Sequence, residues 1–320
     1  MVIRRAHALA VAPFCLAVLA CRPELDERTS IVAAPRVLAV RAEPAEAAPR
    51  ASVTLTALWA DPTGEAAPID WAFCEARKPL SELGPVAARC LAHGGDAFVP
   101  LGSGSAVSGA VPEKACKNFG PEVPDATKDA PAGRPVDPDE TGGYYQPVTL
   151  AAPGPNGDAF TVGNVRLTCG VVGASPEQLA SLAAQSHVNQ NPALDVVTAD
   201  GATLDETTVF PVGAGAKVHL RASWADCAPG APSCTGAEHF AVYDVGVRAV
   251  VPRREAVRVA WYASGGAFDE EANGRDEPDE APFVENAWTA PATPGKARLW
   301  LVVRDARGGV GWRQYALDVR

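Results

Sequence analysis

A nine-residue pattern that occurs twice constrains the fold of this chain more than any other feature. Val53–Asp61 (VTLTALWAD) and Val218–Asp226 (VHLRASWAD) lie 165 residues apart and agree at six of nine positions. Val, Leu, Ala and Trp alternate in both copies, which places them on one face of a half-buried strand. Each copy is followed by a second strand pattern with a tryptophan, Trp71 or Trp261. We therefore expect two related β-domains; chance similarity between two amphipathic strands is the alternative.

The C-terminal copy has the clearer strand pattern. Apolar residues alternate over Ala297–Val303 and again over Tyr315–Val319, and the turn-like segment Asp305–Gly309 separates them. This arrangement predicts a closing hairpin. Together with the preceding Trp288–Pro291 (WTAP), the hairpin resembles the end of immunoglobulin-like or PKD-like sandwiches in bacterial surface proteins. The resemblance implies an all-β fold with two immunoglobulin-like β-sandwich domains in tandem.

The domain boundaries follow from changes in composition. Domain 1 is expected over 36–174, and domain 2, where the resemblance is stronger, over 192–320. A Pro/Gly-rich stretch at about 76–143 predicts a long, disulfide-stapled loop insertion in domain 1. Ser175, followed by Pro and by a glutamine three positions on, predicts the start of a short helix within a linker over 175–191.

The N-terminus has the layout of an export signal. Arg4 and Arg5 precede the apolar run Ala8–Leu19, which is too short to span a bilayer. Val18–Cys21 resembles the lipobox of bacterial lipoproteins, in which the cysteine becomes the acylated N-terminus. We therefore expect a signal peptide over 1–20, lipidation of Cys21 and a flexible tether over 21–35. An ordinary signal peptide, cleaved after another small residue, is the alternative.

The charge balance bears on partners and location. The chain has 28 Lys+Arg and 38 Asp+Glu, a net charge of −10 that becomes −12 once Arg4 and Arg5 leave with the signal. This acidity argues against nucleic-acid binding and leaves the acyl chains to hold the protein at the bilayer. Arg22 follows the cysteine, which by resemblance to bacterial sorting rules favours the outer membrane, facing the periplasm or the surface.

Six cysteines remain after Cys15 leaves with the signal and Cys21 is lipidated: Cys74, Cys90, Cys116, Cys169, Cys227 and Cys234. An even number in an exported chain indicates disulfides. Cys227 and Cys234 flank a short Pro/Gly-rich loop and are the favoured pair. The other four allow three pairings, of which sequence proximity favours Cys74–Cys90 with Cys116–Cys169. Zinc ligation is disfavoured because no Cys-x-x-Cys pair occurs.

Two acidic loops suggest calcium as a candidate cofactor, and the sequence suggests no other. The denser loop offers four candidate ligands: Asp269, Glu271, Asn273 and Asp276. Calcium takes six to eight oxygen ligands from flexible loops. Neither this loop nor 137–140 has EF-hand spacing, so a solvated acidic surface is the alternative.

Four aromatic residues could instead form a binding surface for a protein or glycan ligand. Tyr144 and Tyr145 follow two glycines, and Trp300 and Trp312 occupy the strand faces opposite the expected core. Exposed aromatics bind sugars or peptides, but they also cover neighbouring domains.

A search for catalytic motifs is negative. The chain has no Gly-x-Ser-x-Gly elbow, His-Glu-x-x-His pair, P-loop or strand-following Gly-x-Gly-x-x-Gly, and its five histidines are scattered. We therefore expect a protein that is not an enzyme and that acts in surface recognition, adhesion or envelope assembly. An envelope hydrolase or enzyme accessory protein with its site in the domain 1 insertion is the alternative.

Three phrases resemble a group of lipoproteins from myxobacteria that carry immunoglobulin-like repeats. They are Pro35–Pro44, Arg134–Gln146 and Trp288–Pro294. The resemblance implies a surface or periplasmic protein and brings no activity with it.

Overall fold

β-strands make up most of the regular structure in the computed structural model, which describes residues 28–79, 82–91, 95–126, 133–154, 157–231 and 233–320. The predicted all-β class is confirmed. Residues 1–27, with the predicted signal peptide and Cys21, lie outside the described residues. Among the residues that are described, no helix has the length and apolar character needed to cross a membrane.

The strands of the first half are β1 (Arg36–Glu43), β2 (Glu46–Ala47), β3 (Ser52–Ala60), β4 (Asp70–Cys74), β5 (Phe98–Ser103), β6 (Ala106–Ala110), β7 (Tyr145–Gly154) and β8 (Gly157–Leu167). A short 3-10 helix covers Ala88–Leu91, α1 covers Ala115–Phe119, and α2 (Pro176–Gln185) leads into the second half. The strands of the second half are β9 (Val196–Ala199), β10 (Ala202–Thr203), β11 (Val209–Val212), β12 (Lys217–Ser223), β13 (His239–Asp244), β14 (Ala249–Arg254), β15 (Val257–Ala263), β16 (Ala267–Phe268), β17 (Ala272–Arg275), β18 (Phe283–Thr289), β19 (Gly295–Asp305) and β20 (Val310–Val319).

The first eight strands form two facing sheets, which we call the N-terminal sandwich. One sheet has the order β1-β3-β6 and the other the order β2-β8-β7-β4-β5. Alternate residues of β3, such as Leu55, meet Trp71 and Phe73 of β4 in a common core. All three side chains are fully buried, as the period-2 pattern predicts.

The second half forms the C-terminal sandwich from sheets of order β10-β9-β12-β18-β16 and β11-β20-β19-β15-β17. Its core brings Leu220 of β12 and Trp288 of β18 against Trp261 of β15 and Leu301 of β19. The remaining strands, β13 and β14, pair with each other and form a hairpin beside this sandwich.

The two sandwiches repeat one strand arrangement. Each copy of the sequence pattern forms a middle strand, β3 between β1 and β6, and β12 between β9 and β18. In each sandwich a short strand pairs in parallel with the last strand, β2 with β8 and β11 with β20. Otherwise antiparallel sheets in this order are typical of immunoglobulin-like sandwiches. The duplicated sequence pattern therefore reflects a duplicated architecture.

The segment 76–143 is not the plain loop insertion that its composition suggests. It contains β5, which pairs with β4, and β6, which pairs with β3, so it completes both sheets. Leu101 and Val107 pack on the core from these strands. The Gly/Ser-rich sequence conceals the alternation because edge strands need few apolar residues, and Gly104, with a φ of 145°, makes the crossing between the sheets.

All three predicted disulfides are present, with Cα–Cα distances of 5.7, 5.8 and 5.8 Å. Cys74–Cys90 links the end of β4 to the 3-10 helix. Cys116–Cys169 links α1 to the chain after β8, and Cys227–Cys234 closes the short loop before β13. None of these links joins one strand to another: each ties a loop or a short helix to a strand end or to another loop segment.

Helix α2 forms where the capping signal predicts it. The Ser175 side chain accepts a hydrogen bond from the Gln178 backbone, and the Gln178 side chain accepts one from the Ser175 backbone. Pro176 occupies the first turn, where its missing N–H costs nothing.

The second half of the predicted tether is part of the folded body, so the expectation of a flexible segment up to residue 35 is wrong there. Val32 is fully buried and donates a backbone hydrogen bond to Ala263 at the end of β15. Ser30 is buried as well, and both Thr29 and Ser30 donate hydroxyl hydrogen bonds to Glu271. The apolar Ile31-Val32 pair is the sequence signal for this docking.

A third apolar cluster joins the two sandwiches. Leu38 of β1 and Leu58 of β3, from the outer face of the N-terminal sandwich, pack against Trp300 of β19 and Val310 of β20. Arg304 adds a hydrogen bond of 2.8 Å to the carbonyl oxygen of Leu38. The sandwiches therefore share a continuous buried interface.

Candidate functional site

An open groove of about 580 Å³ lies between the sandwiches, beside the interface. One wall is α2 and the segment 169–172 that follows β8. The opposite wall is β13, and the segment 134–142 closes one side. These parts are distant in sequence, and the packing of the two halves brings them together.

The groove is lined mainly by apolar side chains. Leu179, Leu182 and Ala183 contribute from α2, whose exposed surface faces the groove at these positions. At the rim, Val172 is 65% exposed and Val245 is 61% exposed. Apolar side chains gathered at the edge of a concave site, where a ligand could bury them, are typical of ligand grooves.

Strand β13 forms its wall with four successive residues, Phe240–Tyr243. Successive residues of a strand point to opposite faces. Because all four residues line the groove, the groove runs along the edge of the strand rather than over one face. In the described part of the chain, β14 is the only strand that pairs with β13.

Arg166 forms part of the floor and is held by three neighbouring residues. Its Nη1 donates to Thr141 Oγ1 at 2.7 Å and to the Tyr145 hydroxyl at 3.1 Å, and its Nη2 donates to the Thr141 carbonyl at 3.0 Å. Its Nε lies 3.3 Å from the Glu46 carboxylate. Tyr145 in turn donates to Asp139, and burial raises the pKa of Tyr145 to about 12. These contacts hold the Arg166 guanidinium in place within the protein.

Arg307 forms the rest of the floor, on the turn between β19 and β20. Its Nε donates to Glu255 at 2.6 Å and its Nη2 to Glu238 at 2.6 Å, while its Nη1 donates to the His187 carbonyl at 2.9 Å. The guanidinium also lies 4.7 Å from the centre of the Phe240 ring. Arg307 therefore connects the groove wall to a buried group of carboxylates.

This group, which we call the buried charge cluster, comprises Glu238, Glu255, Asp305 and Arg307. All four are at least nine-tenths buried. Burial raises the pKa of Glu255 to about 8, and the negative charge of Asp305 adds to the shift. Burial also raises the pKa of Asp305 and Glu238, against the opposing effect of hydrogen bonds and Arg307. The guanidinium thus binds two of the three carboxyl groups, and Asp305 instead accepts hydrogen bonds from the backbone N–H groups of Arg307 and Gly309.

The aromatic residues predicted as a binding surface do not form one. Trp300 is 2% exposed and lies in the interface between the sandwiches, and Trp312 packs on the same cluster with Arg41 4.6 Å from its ring centre. The expectation of exposed tryptophans is wrong because the N-terminal sandwich covers that sheet face. Tyr144 is buried at the groove, and Tyr145 is half-buried behind the floor, with its hydroxyl against Arg166.

The four predicted calcium ligands are not brought together, so the structure contradicts the calcium hypothesis. Asp269 pairs with Lys217, Asp276 with Arg258, and Glu271 binds the N-terminal segment. Asn273 accepts from the Trp261 ring and donates to the Glu285 carbonyl. They lie along or beside two short strands rather than in a loop that could converge on an ion. Over the ranges that the structure describes, no group of three His, Cys, Asp or Glu residues could hold a metal.

The groove and the buried charge cluster were not predicted from sequence. The sequence of Asp305–Gly309 (DARGG) predicts a turn from its Asp and Gly residues, but it does not indicate that Arg307 is buried. Glu238 and Glu255 flank the β13–β14 hairpin and had no visible partner. Their meeting at Arg307 depends on tertiary packing.

Comparisons with known proteins do not assign this chain to a family, so its class is described by its fold and its groove alone. No protein-family model matches the chain, and no curated protein matches it significantly. Solved structures resemble it distantly. One is a nucleoside hydrolase-related protein from Saccharophagus degradans (11% identity, TM-score 0.24, 49% of this chain and 35% of that one). Others are latent PorU from Porphyromonas gingivalis (12%, 0.23, 89% and 24%) and the adhesin InvE from Yersinia pseudotuberculosis (8%, 0.21, 88% and 58%). The chain spans less than two thirds of each, and likeness at this level carries no argument about activity.

Proposed function

We propose that this protein is a lipoprotein of the cell envelope, anchored at the outer membrane through Cys21, that acts without catalysis by binding an apolar ligand in the groove between its sandwiches. Surface recognition, adhesion or envelope assembly is the setting. The observation that carries the proposal is the groove itself. Its walls are apolar and are exposed at Val172, Leu179 and Val245, and the two arginines of its floor stand in ion pairs. The other charged side chains of its lining, Arg134 and Asp137, pair with each other at the exposed rim, so the site offers mainly apolar surface for a ligand to bury.

The disulfides support an exported location, because such bonds persist in oxidising compartments such as the periplasm. Because residues 29–32 are docked on the C-terminal sandwich, only a short segment would separate the body from a lipidated Cys21. Cys21 precedes Thr29 by eight residues, which reach ~27 Å when fully extended. An acylated Cys21 would therefore keep the body close to the headgroups, with the Ala263 end of β15 nearest the bilayer.

The hydrolase alternative has less support. In the described part of the chain, no hydroxyl or thiol is hydrogen-bonded to a histidine ring. The carboxyl groups with raised pKa lie in the buried charge cluster, far along the chain from the predicted insertion, and Arg307 occupies them. A hydrolytic site needs such groups free to reach a substrate.

A neutral, apolar fluorescent probe, Nile red, tests the groove. We expect saturable binding that weakens at least ~10-fold, or ~1.4 kcal/mol, in the double variant Val172→Arg/Val245→Arg, because the new charges would have to be buried by the probe. The matched control is Val196→Arg/Val209→Arg, which changes two valines that are 43% and 59% exposed outside the groove. Equal binding by both variants would contradict the proposed site.

Membrane fractionation of Cys21→Ser tests the anchor separately. We expect the variant to move from the membrane to the soluble fraction, since the net negative charge of the body repels it from anionic headgroups. Unchanged fractionation would argue against lipidation.

A further inference from the structure

The buried charge cluster lies where the two sandwiches and their linker meet. Glu238 precedes β13, Glu255 joins β14 to β15, and Asp305 and Arg307 belong to the β19–β20 turn. From the linker, the Gln190 backbone donates to Glu238 at 3.0 Å, and the His187 carbonyl accepts from Arg307. The cluster therefore ties the linker to three separate parts of the C-terminal sandwich.

The N-terminal sandwich reaches the same point. Arg166 and the Tyr145 hydroxyl both approach the Arg307 carbonyl, at 3.5 and 3.4 Å. Glu46 accepts a hydrogen bond from the Asn189 backbone at 3.3 Å, and the Asn189 side chain faces the Asp305 carboxylate at 3.5 Å. Any rearrangement of the cluster must therefore disturb contacts between the sandwiches.

The charges of the cluster do not balance. With every group ionised, three carboxylates and one guanidinium leave a net charge of −2 in a region almost closed to water. Burying an unpaired charge is costly, so the folded state retains protons on carboxyl groups that would otherwise lose them. The raised pKa values of Glu255 and Asp305 agree with this geometry.

Other charged or titratable groups lie near the cluster without neutralising it. They are His187 from the linker, Glu46, Asp139 and Arg166 from the N-terminal sandwich, and Arg254 beside Glu255. Arg166 is shared with Glu46, and Arg254 donates away from the cluster, to the Asp279 carbonyl at 2.8 Å. None of these cations pairs with Asp305 or Glu255.

We propose that the buried charge cluster is a pH-sensitive latch between the sandwiches: closed while a carboxyl group is protonated, and loosened when all three are ionised. Loosening separates the β19–β20 turn from the linker and exposes the shared apolar interface. Because an envelope protein outside the cytoplasm meets the pH of its surroundings, the latch would respond to alkaline conditions. The inference does not depend on the ligand of the groove.

Fluorine NMR of protein labelled with fluorotryptophan tests the latch. The seven tryptophans divide usefully: Trp300 and Trp312 report on the shared interface, whereas Trp71 and Trp261 lie in the separate cores. On raising the pH from about 5 to about 9, we expect the signals of Trp300 and Trp312 to change with a midpoint near the pKa of about 8 for Glu255. The core signals should stay constant.

The variant Glu255→Gln removes one titrating group and retains the acceptor for Arg307. We expect it to abolish the transition or to move its midpoint by at least ~1 pH unit. Asp305→Asn is the second variant, should the first fail to fold. The matched control is Glu277→Gln, which removes a carboxylate from a more exposed ion pair with Arg253 and should behave like wild type.

Three results would overturn the latch. They are constant Trp300 and Trp312 signals in wild type, the same transition in both cluster variants as in wild type, or a simultaneous change at Trp71 and Trp261, which would indicate general unfolding.

Discussion

Replacing Trp300 by alanine tests the interface between the sandwiches, because sequence alone predicts this side chain to be exposed. Trp300 is 2% exposed and its ring nitrogen donates to Gln314 at 3.2 Å. A buried tryptophan removes ~150–250 Å² from water, which at ~25 cal/mol per Å² contributes ~4–6 kcal/mol. Measured Trp→Ala changes in cores cost ~3–5 kcal/mol, because the surroundings relax only partly. We expect a loss of that size.

Urea unfolding followed by circular dichroism provides the measurement. The loss should appear as a lower midpoint, and the transition should broaden or divide, since a weakened interface lets each sandwich unfold on its own. Trp312→Ala is the matched comparison: its side chain is only half-buried in the same cluster, so it should cost about 1–3 kcal/mol. A change below ~0.5 kcal/mol for Trp300→Ala would refute the reasoning, since that is the range of exposed sites.

Two further predictions concern stability. Replacing both cysteines of a disulfide by serine should lower the free energy of unfolding by an amount that grows with the length of the closed loop. We expect ~2.4 kcal/mol for Cys227–Cys234, with a sequence separation of 7, and ~4.2 kcal/mol for Cys116–Cys169, with a separation of 53. Equal losses in urea unfolding would contradict the loop-length argument. Stability should also fall as the pH rises. Glu255 has a pKa of about 8 in the folded protein against an ordinary 4.5, so between these values the folded state holds a proton that the unfolded state has lost. The free energy of unfolding should therefore decrease over this window, by less in Glu255→Gln, and a rising or flat wild-type profile would contradict the charge cluster.

The strand pattern predicted much of the fold because period-2 alternation reports directly on which face is buried. Val53–Asp61, Val218–Asp226 and Tyr315–Val319 all place their alternating residues in a core. Alternation does not say what covers the opposite face, which is why Trp300 was misjudged. The segment Leu299–Val303 is apolar at every position, the pattern of a strand that is buried on both faces.

The groove could not be predicted in the same way. Its walls and floor come from the chain after β8, α2, β13 and the β19–β20 turn, and each segment alone has an ordinary composition. The calcium hypothesis was wrong for a related reason. Acidic density in sequence reports the number of carboxylates, whereas Lys217 and Arg258 approach them only in the folded structure.

Photolabelling maps the ligand site most directly. An apolar diazirine probe is irradiated with the intact protein, and the labelled residues are identified by mass spectrometry. The account predicts labels concentrated on the groove walls, at Val172, Leu182 and Val242, and their loss in Val172→Arg/Val245→Arg. Labels that fall instead on exposed apolar residues elsewhere, such as Leu83 at 98% exposure, with the groove walls unlabelled, would contradict it.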